Sequence, residues 1–143
     1  MSKWFSTKVR YTKELESGKL KRVNEQFLIA AETFGDAEEK IIKKLSETIK
    51  SGLDVIAIAT EDIHDIIYNP EAELVHKCKI QFLEEADNET LKKITQVFIV
   101  EADTVKESII AINRMMANTT LDFSITAVVL SPIVEVFPNE DTL

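Results

Sequence analysis

The amino-acid sequence predicts an α+β fold: tandem, pseudo-symmetric ββαβ units forming an antiparallel-rich sheet with two helices on one face. Three observations carry that prediction. The chain repeats at an offset of 71 residues, so that Val9 matches Ile80, Tyr11 matches Phe82, and Leu20-Lys21-Arg22-Val23 matches Leu91-Lys92-Lys93-Ile94. Each copy opens with two alternating apolar runs, the pattern of half-buried strands. Each second run then leads into Thr33-Phe34-Gly35-Asp36 or Thr104-Val105-Lys106-Glu107, where a hydroxyl and a carboxylate can satisfy the first free amides of a helix.

In chain order, residues 4–15 and 19–31 read as a hairpin joined around Glu16-Ser17-Gly18, and 74–85 and 91–102 as its counterpart, turning near Asp87-Asn88-Glu89. The first helix is expected over residues 35–50, with Phe34, Ile41, Leu45 and Ile49 on its buried stripe. The second is expected over 105–117, with Val105, Ile109, Ile112 and Met116. Asp36, Glu38 and Glu39 near the first helix start, and Lys43, Lys44 and Lys50 toward its end, suit the helix dipole. Apolar strands follow at 54–60 and 122–130, then shorter runs at 65–68 and 133–137. Past the helix starts the repeat is continued at an offset of 68, pairing Ile41-Ile42 with Ile109-Ile110, Asp54 with Asp122 and Pro70 with Pro138. The expected organisation is one domain, residues 1–143, made of two related halves at about 1–71 and 72–138 with a short polar tail.

Alternation assigns faces. Phe5, Val9 and Tyr11 point to the core, with Trp4, Ser6, Lys8 and Arg10 opposite; Val23, Phe27 and Ile29 share the core side, and Ile80 and Phe82 take the same role in the second copy. Glu25 and Gln96 fall on the core side, which calls for a bulge or an edge position. The opposite face then carries Lys8, Arg10, Arg22, Lys77, Lys79 and Lys93, and with Trp4 and Tyr11 these form the candidate ligand-binding set. Aromatic faces stack on flat ligands while cations meet phosphates or carboxylates. The runs 55–59 and 125–130 are apolar on both alternations, so a homo-oligomer is expected to cover their second face.

Charge and missing motifs exclude more than they assign. The 143 residues are 45% hydrophobic and 29% charged with a net charge of −8, the balance of a soluble globular domain and unfavourable for general binding to nucleic acid or anionic membrane. Residues 1–22 nevertheless carry a net +5, leaving −13 on the rest. One cysteine, Cys78, allows no intrachain disulfide and reads as core; with no spanning run, a cytoplasmic location follows. No phosphate-cradling glycine loop, zinc spacing or strained nucleophile turn occurs, so no catalytic residue, metal or cofactor is assigned. His64, in Glu61-Asp62-Ile63-His64-Asp65, reads as a solvated connection rather than a metal ligand, and His76 as a strand residue on a half-buried surface.

Trp4-Phe5-Ser6-Thr7-Lys8-Val9-Arg10-Tyr11, Val23-Asn24-Glu25-Gln26-Phe27-Leu28-Ile29-Ala30-Ala31 and Thr33-Phe34-Gly35-Asp36-Ala37-Glu38 resemble a family of short proteins of unknown function from Bacteroidetes bacteria and their phages. The resemblance spans most of the first half and brings no known functional residues. The phage setting implies a small binding protein, including the kind that sequesters nucleotide signals of host defence. The sequence therefore leads to a non-catalytic, cytoplasmic, oligomeric binder of a small anionic ligand such as a nucleotide. The rival readings are a structural or protein-interaction module and a weak single-stranded nucleic-acid binder.

Overall fold

The computed structural model describes residues 3–49, 52–85 and 90–139. Lys50, the turn at Asp87-Asn88-Glu89 and the tail beyond residue 139 lie outside the described residues. The elements run β1 (Lys3–Glu14), β2 (Leu20–Ala31), α1 (Phe34–Leu45), β3 (Asp54–Glu61), β4 (Asp65–Ile67), β5 (Val75–Glu85), β6 (Leu91–Glu101), α2 (Val105–Met115), β7 (Asp122–Ser131) and β8 (Ile133–Phe137). The α+β class is the one the sequence predicts, and both copies traverse the same elements in the same order.

The strands form two four-stranded sheets, ordered β3-β1-β2-β8 and β4-β6-β5-β7. The chain divides into two compact units: one holds β1, β2, α1, β3 and β8, the other β4 to β7 with α2. In each, three strands are antiparallel and the fourth joins in parallel, β8 against β2 and β4 against β6. The short last strand of each copy thus belongs to the sheet built by the other copy, so the units do not coincide with residues 1–71 and 72–138. Connection length accounts for this. A strand beside β6 would lie three strand spacings from β7, roughly 14 Å. Pro132 alone joins β7 to β8, and a step of two residues covers at most ~7 Å. β8 therefore cannot reach the edge beside β6, where a parallel partner would lie.

The register also corrects the repeat. Ile41 and Ile112, both fully buried, are related by the original offset of 71, as are the turn bonds Thr48 N–H to Leu45 O and Thr119 N–H to Met116 O. Val55 faces Val9 as Ile125 faces Ile80, an offset of 70. The second copy is therefore one residue shorter, between the helix and the third strand, and the offset of 68 is overturned. In the first helix the inward isoleucine is Ile41 of the Ile41-Ile42 pair, whereas in the second Ile109 and Ile110 are both exposed and Ile112 is the inward one.

Thr33 and Thr104 cap the helices as expected, each hydroxyl accepting from an amide 3.0 Å away, that of Asp36 or Glu107. The helices end earlier than expected, at Leu45 and Met115. Their buried stripes are Ala37, Ile41 and Leu45, and Ser108 and Ile112, with Ile49 and Met116 packed behind. Phe34 is 54% exposed, resting edge-on against Phe5, and Val105 and Ile109 also face outward. Small residues at 37 and 108 let each helix lie close to its sheet, which turns the bulky flanking positions out.

The core faces follow the predicted alternation: Phe5, Val9, Tyr11, Phe27 and Ile29 pack with α1, and Cys78, Ile80, Phe82, Phe98 and Val100 with α2. Glu25 occupies the edge position its polarity requires, because β8 begins opposite Gln26 and stops short of it. Gln96 likewise lies beyond the end of β4. β3 and β7 are edge strands whose helix-facing residues pack inward, while Val129 and Leu130 remain 60% and 56% exposed.

Candidate functional site

The expected ligand-binding residues do not converge. Lys8 and Arg10 stand exposed on the helix-free face of the first sheet, flanked by Gln26 and Asn24 of β2, and Arg10 Nε donates to Asn24 Oδ1 over 3.0 Å. Trp4 shares that face but lies six residues from Arg10, about 20 Å at the rise of a strand. Ser6 and Leu28, between them, are buried. Tyr11 is on the other side altogether. Its ring is in the core, and its hydroxyl donates to Glu25 Oε1. Burial first, then that carboxylate, pushes the phenol up to about 12.

Arg22 is committed to structure. Its guanidinium donates to Asp54 Oδ2 at 2.8 Å, to the Gly52 carbonyl at 3.0 Å and to Thr12 Oγ1 at 3.4 Å, tying the start of β2 to the segment entering β3. Gly52 has φ +73, the left-handed region that favours glycine; a β-carbon there would sit 2.8 Å from the guanidinium, the movable end of the Arg22 side chain. In the second unit Lys77, Lys79 and Lys93 are exposed on the helix-free face of β5 and β6, with Lys93 across from Leu83, four residues along the strand from Lys79.

Both histidines and the cysteine differ from reactive groups in plain ways. His76 is more deeply buried than a half-buried strand position: its Nδ1 lies 2.8 Å from the Ala102 carbonyl, which makes Nδ1 the protonated nitrogen. His64 lies in an exposed connection, as expected, with its ring 5.1 Å from that of Phe98 and its backbone amide donating to Val97 O. Cys78 is fully buried, and burial pushes its thiol up to about 11, the direction of an inert core cysteine. Among the described residues no three His, Cys, Asp or Glu side chains gather as a metal site.

Sequence reasoning missed a groove between α1 and the β2–β8 edge, about 270 Å³ in volume. Its floor is apolar, from Ile29, Ala30, Phe137 and Pro138, with Phe137 stacked on Phe27 at 5.7 Å. Its wall is Lys40, Lys43 and Lys44 at i, i+3 and i+4 on the helix, with the carboxylate of Glu47 beside them. Lys40 also contacts Asp36 at 3.3 Å. The Glu32 amide, more than Lys40, holds the Asp36 carboxyl below its ordinary value. The signal was present in the i, i+3, i+4 lysine spacing, but the helix dipole accounted for the same residues. What it lacked was a strand beside the helix, and that strand comes from the other end of the chain.

The corresponding groove of the second unit, about 690 Å³, is acidic instead, with Glu101, Asp103 and Glu107 beside Arg114. Those carboxylates hold backbone. Glu101 accepts from Asn69 N at 2.7 Å, Asp103 from Glu73 N and Leu74 N at 2.7 and 2.9 Å, and Glu107 from Asp103 N at 3.1 Å. No helix is long and apolar enough to cross a membrane among the described residues. Neither a curated protein nor a solved structure matches the chain. Over residues 3–139, a span that takes in both copies, the chain belongs to the family described as Domain of unknown function (DUF4494).

Proposed function

We propose that this protein is a non-catalytic cytoplasmic binder of a small anionic ligand, a nucleotide being the best fit, and that the ligand occupies the lysine-walled groove of the first unit. The observation that carries this reading is the convergence of Lys40, Lys43 and Lys44 on an apolar-floored groove of about 270 Å³. Ammonium groups attract a phosphate, while the floor of Ile29, Phe137 and Pro138 accepts a flat ring. A sponge for nucleotide signals in a phage setting is the biological role that suits such chemistry.

Thermal-shift and calorimetric titrations with nucleoside monophosphates test it. Stabilisation is expected from the nucleotides, lost in the double variant Lys43→Glu/Lys44→Glu and retained in Lys8→Ala/Arg10→Ala. The opposite pattern would move the site to the helix-free face. Nucleotide binding in neither protein nor variants would remove the reading. A second reading, association through the edge strands, is favoured by the exposure of Val129 and Leu130 on β7. Light scattering expects an oligomer that Val129→Lys dissociates.

A further inference from the structure

The second unit contains a cavity of about 400 Å³ toward the hairpin end of its core, within the size range of small-molecule pockets. Phe82 and Phe98 form its floor, Met116 and Leu121 its wall, and Asp65 and Glu84 its rim. The first unit shows what ordinarily fills this place. There Tyr11 stands where the second copy has Phe82, with its hydroxyl on Glu25, and Ile49 and Leu53 pack against the core. At the offset set by the matching helix-end turns, the counterpart of Ile49 is Thr120, and the counterpart of Glu25 is Gln96. The second copy lacks the phenol–carboxylate pair and has a threonine in place of Ile49, while Phe123, the counterpart of Leu53, still packs 6.4 Å from Phe82, and Leu121 is left half exposed beside the opening.

We infer that this cavity binds a compact aryl-alkyl ammonium ligand, its ring lying against Phe82, Phe98 and Met116 and its cation directed to Asp65 and Glu84. The aromatic faces and the thioether favour a ring, and the ring-and-cation combination suits them better than an aliphatic chain. Among the described residues that line the cavity, the carboxylates of Asp65 and Glu84 are joined by one basic side chain, the imidazole of His64, and by no lysine or arginine. This is the reverse of the lysine groove in the first unit, and neither site depends on the other.

The test is calorimetry and amide NMR titration of the whole protein with phenethylamine, phenylacetate and butylamine, which separate ring from charge. Phenethylamine is expected to saturate and to bind at least ~10-fold more tightly than either control, the value of one charge-assisted contact. Its shifts are expected at Phe98 and Met116. Thr120→Ile, which restores the isoleucine of the first unit, is expected to weaken binding at least ~10-fold while raising the melting temperature. Leu121→Phe serves as a second filling variant should Thr120→Ile fail to fold. Phenylacetate binding as tightly as phenethylamine, the absence of saturation, shifts confined to other surfaces, or undiminished binding in the folded filling variant would each overturn the inference.

Discussion

The two units are built alike and finished differently. Each has a long hairpin, a threonine-capped helix, an edge strand with a bulge and a short parallel strand supplied by the other copy. Yet the first closes the hairpin end of its core with Tyr11, Glu25, Ile49 and Leu53, whereas the second leaves a cavity there. The first ties β2 to β3 through Arg22 and Asp54, where the second has Lys93 and Ser124 at the corresponding positions. The grooves beside the two helices carry opposite charge. Repetition preserved what the backbone needs, caps and inward-facing residues, and left the exposed and end-of-core positions free to diverge. Function is to be sought where the copies differ.

The comparison is most severely tested in the cores. Ile41→Ala and Ile112→Ala each remove a fully buried branched chain, and each is expected to cost about 2–5 kcal/mol in denaturant unfolding. Similar costs would confirm equivalent positions, while a much smaller loss at Ile112 would show that the open core of the second unit relaxes around the gap.

Next in size is Tyr11→Phe, which gives the first unit the ring the second already has. Loss of the hydroxyl leaves Glu25 without its phenol and is expected to cost about 1–2 kcal/mol. The same residue sets a pH signature. The folded protein raises the phenol from 10.0 to about 12, so this stabilisation is complete below pH 10 and disappears as pH rises through about 12. Unfolding followed across that window is expected to lose stability in the parent protein and to lose this component in Tyr11→Phe.

Smaller effects belong to the caps and to the surface tie. Thr33→Ala and Thr104→Ala are each expected to cost about 1 kcal/mol, equally in the two units, because the geometries match. Asp54→Asn breaks an ion pair whose side chains are 45% and 64% exposed, so a loss below ~1 kcal/mol that shrinks with salt is expected. Ser124→Asp, placing a carboxylate at the position that Asp54 holds in the first unit, is expected to gain no more than ~0.5 kcal/mol, read as a shift in the denaturation midpoint.

Much of this architecture was legible in the residues. Alternation at Phe5, Val9 and Tyr11 located the core face, Gly18 marked the first turn with φ +83, and the Thr-x-x-Asp/Glu patterns located both helix starts. The charge of Glu25 called for a bulge or an edge position, and the end of β8 at Gln26 supplies the second. Helix phase was not legible, because Ile109 and Ile112 are equally apolar and only the close approach permitted by Ser108 selects Ile112. The candidate site was less legible still: Lys43 and Lys44 were visible as helix-end cations, but not as a wall.

Sequence alone determined the local terms: which segments form strands or helices, where they begin, and which side of each is apolar, since these depend on residues a few positions apart. Tertiary structure alone decided that β4 and β8 trade sheets, and with that which strand floors the lysine groove and which end of the second core stays open. A short strand carries alternation but no label for its partner. Its pairing is settled by how far the connecting chain can reach and by which sheet edge is free when it arrives.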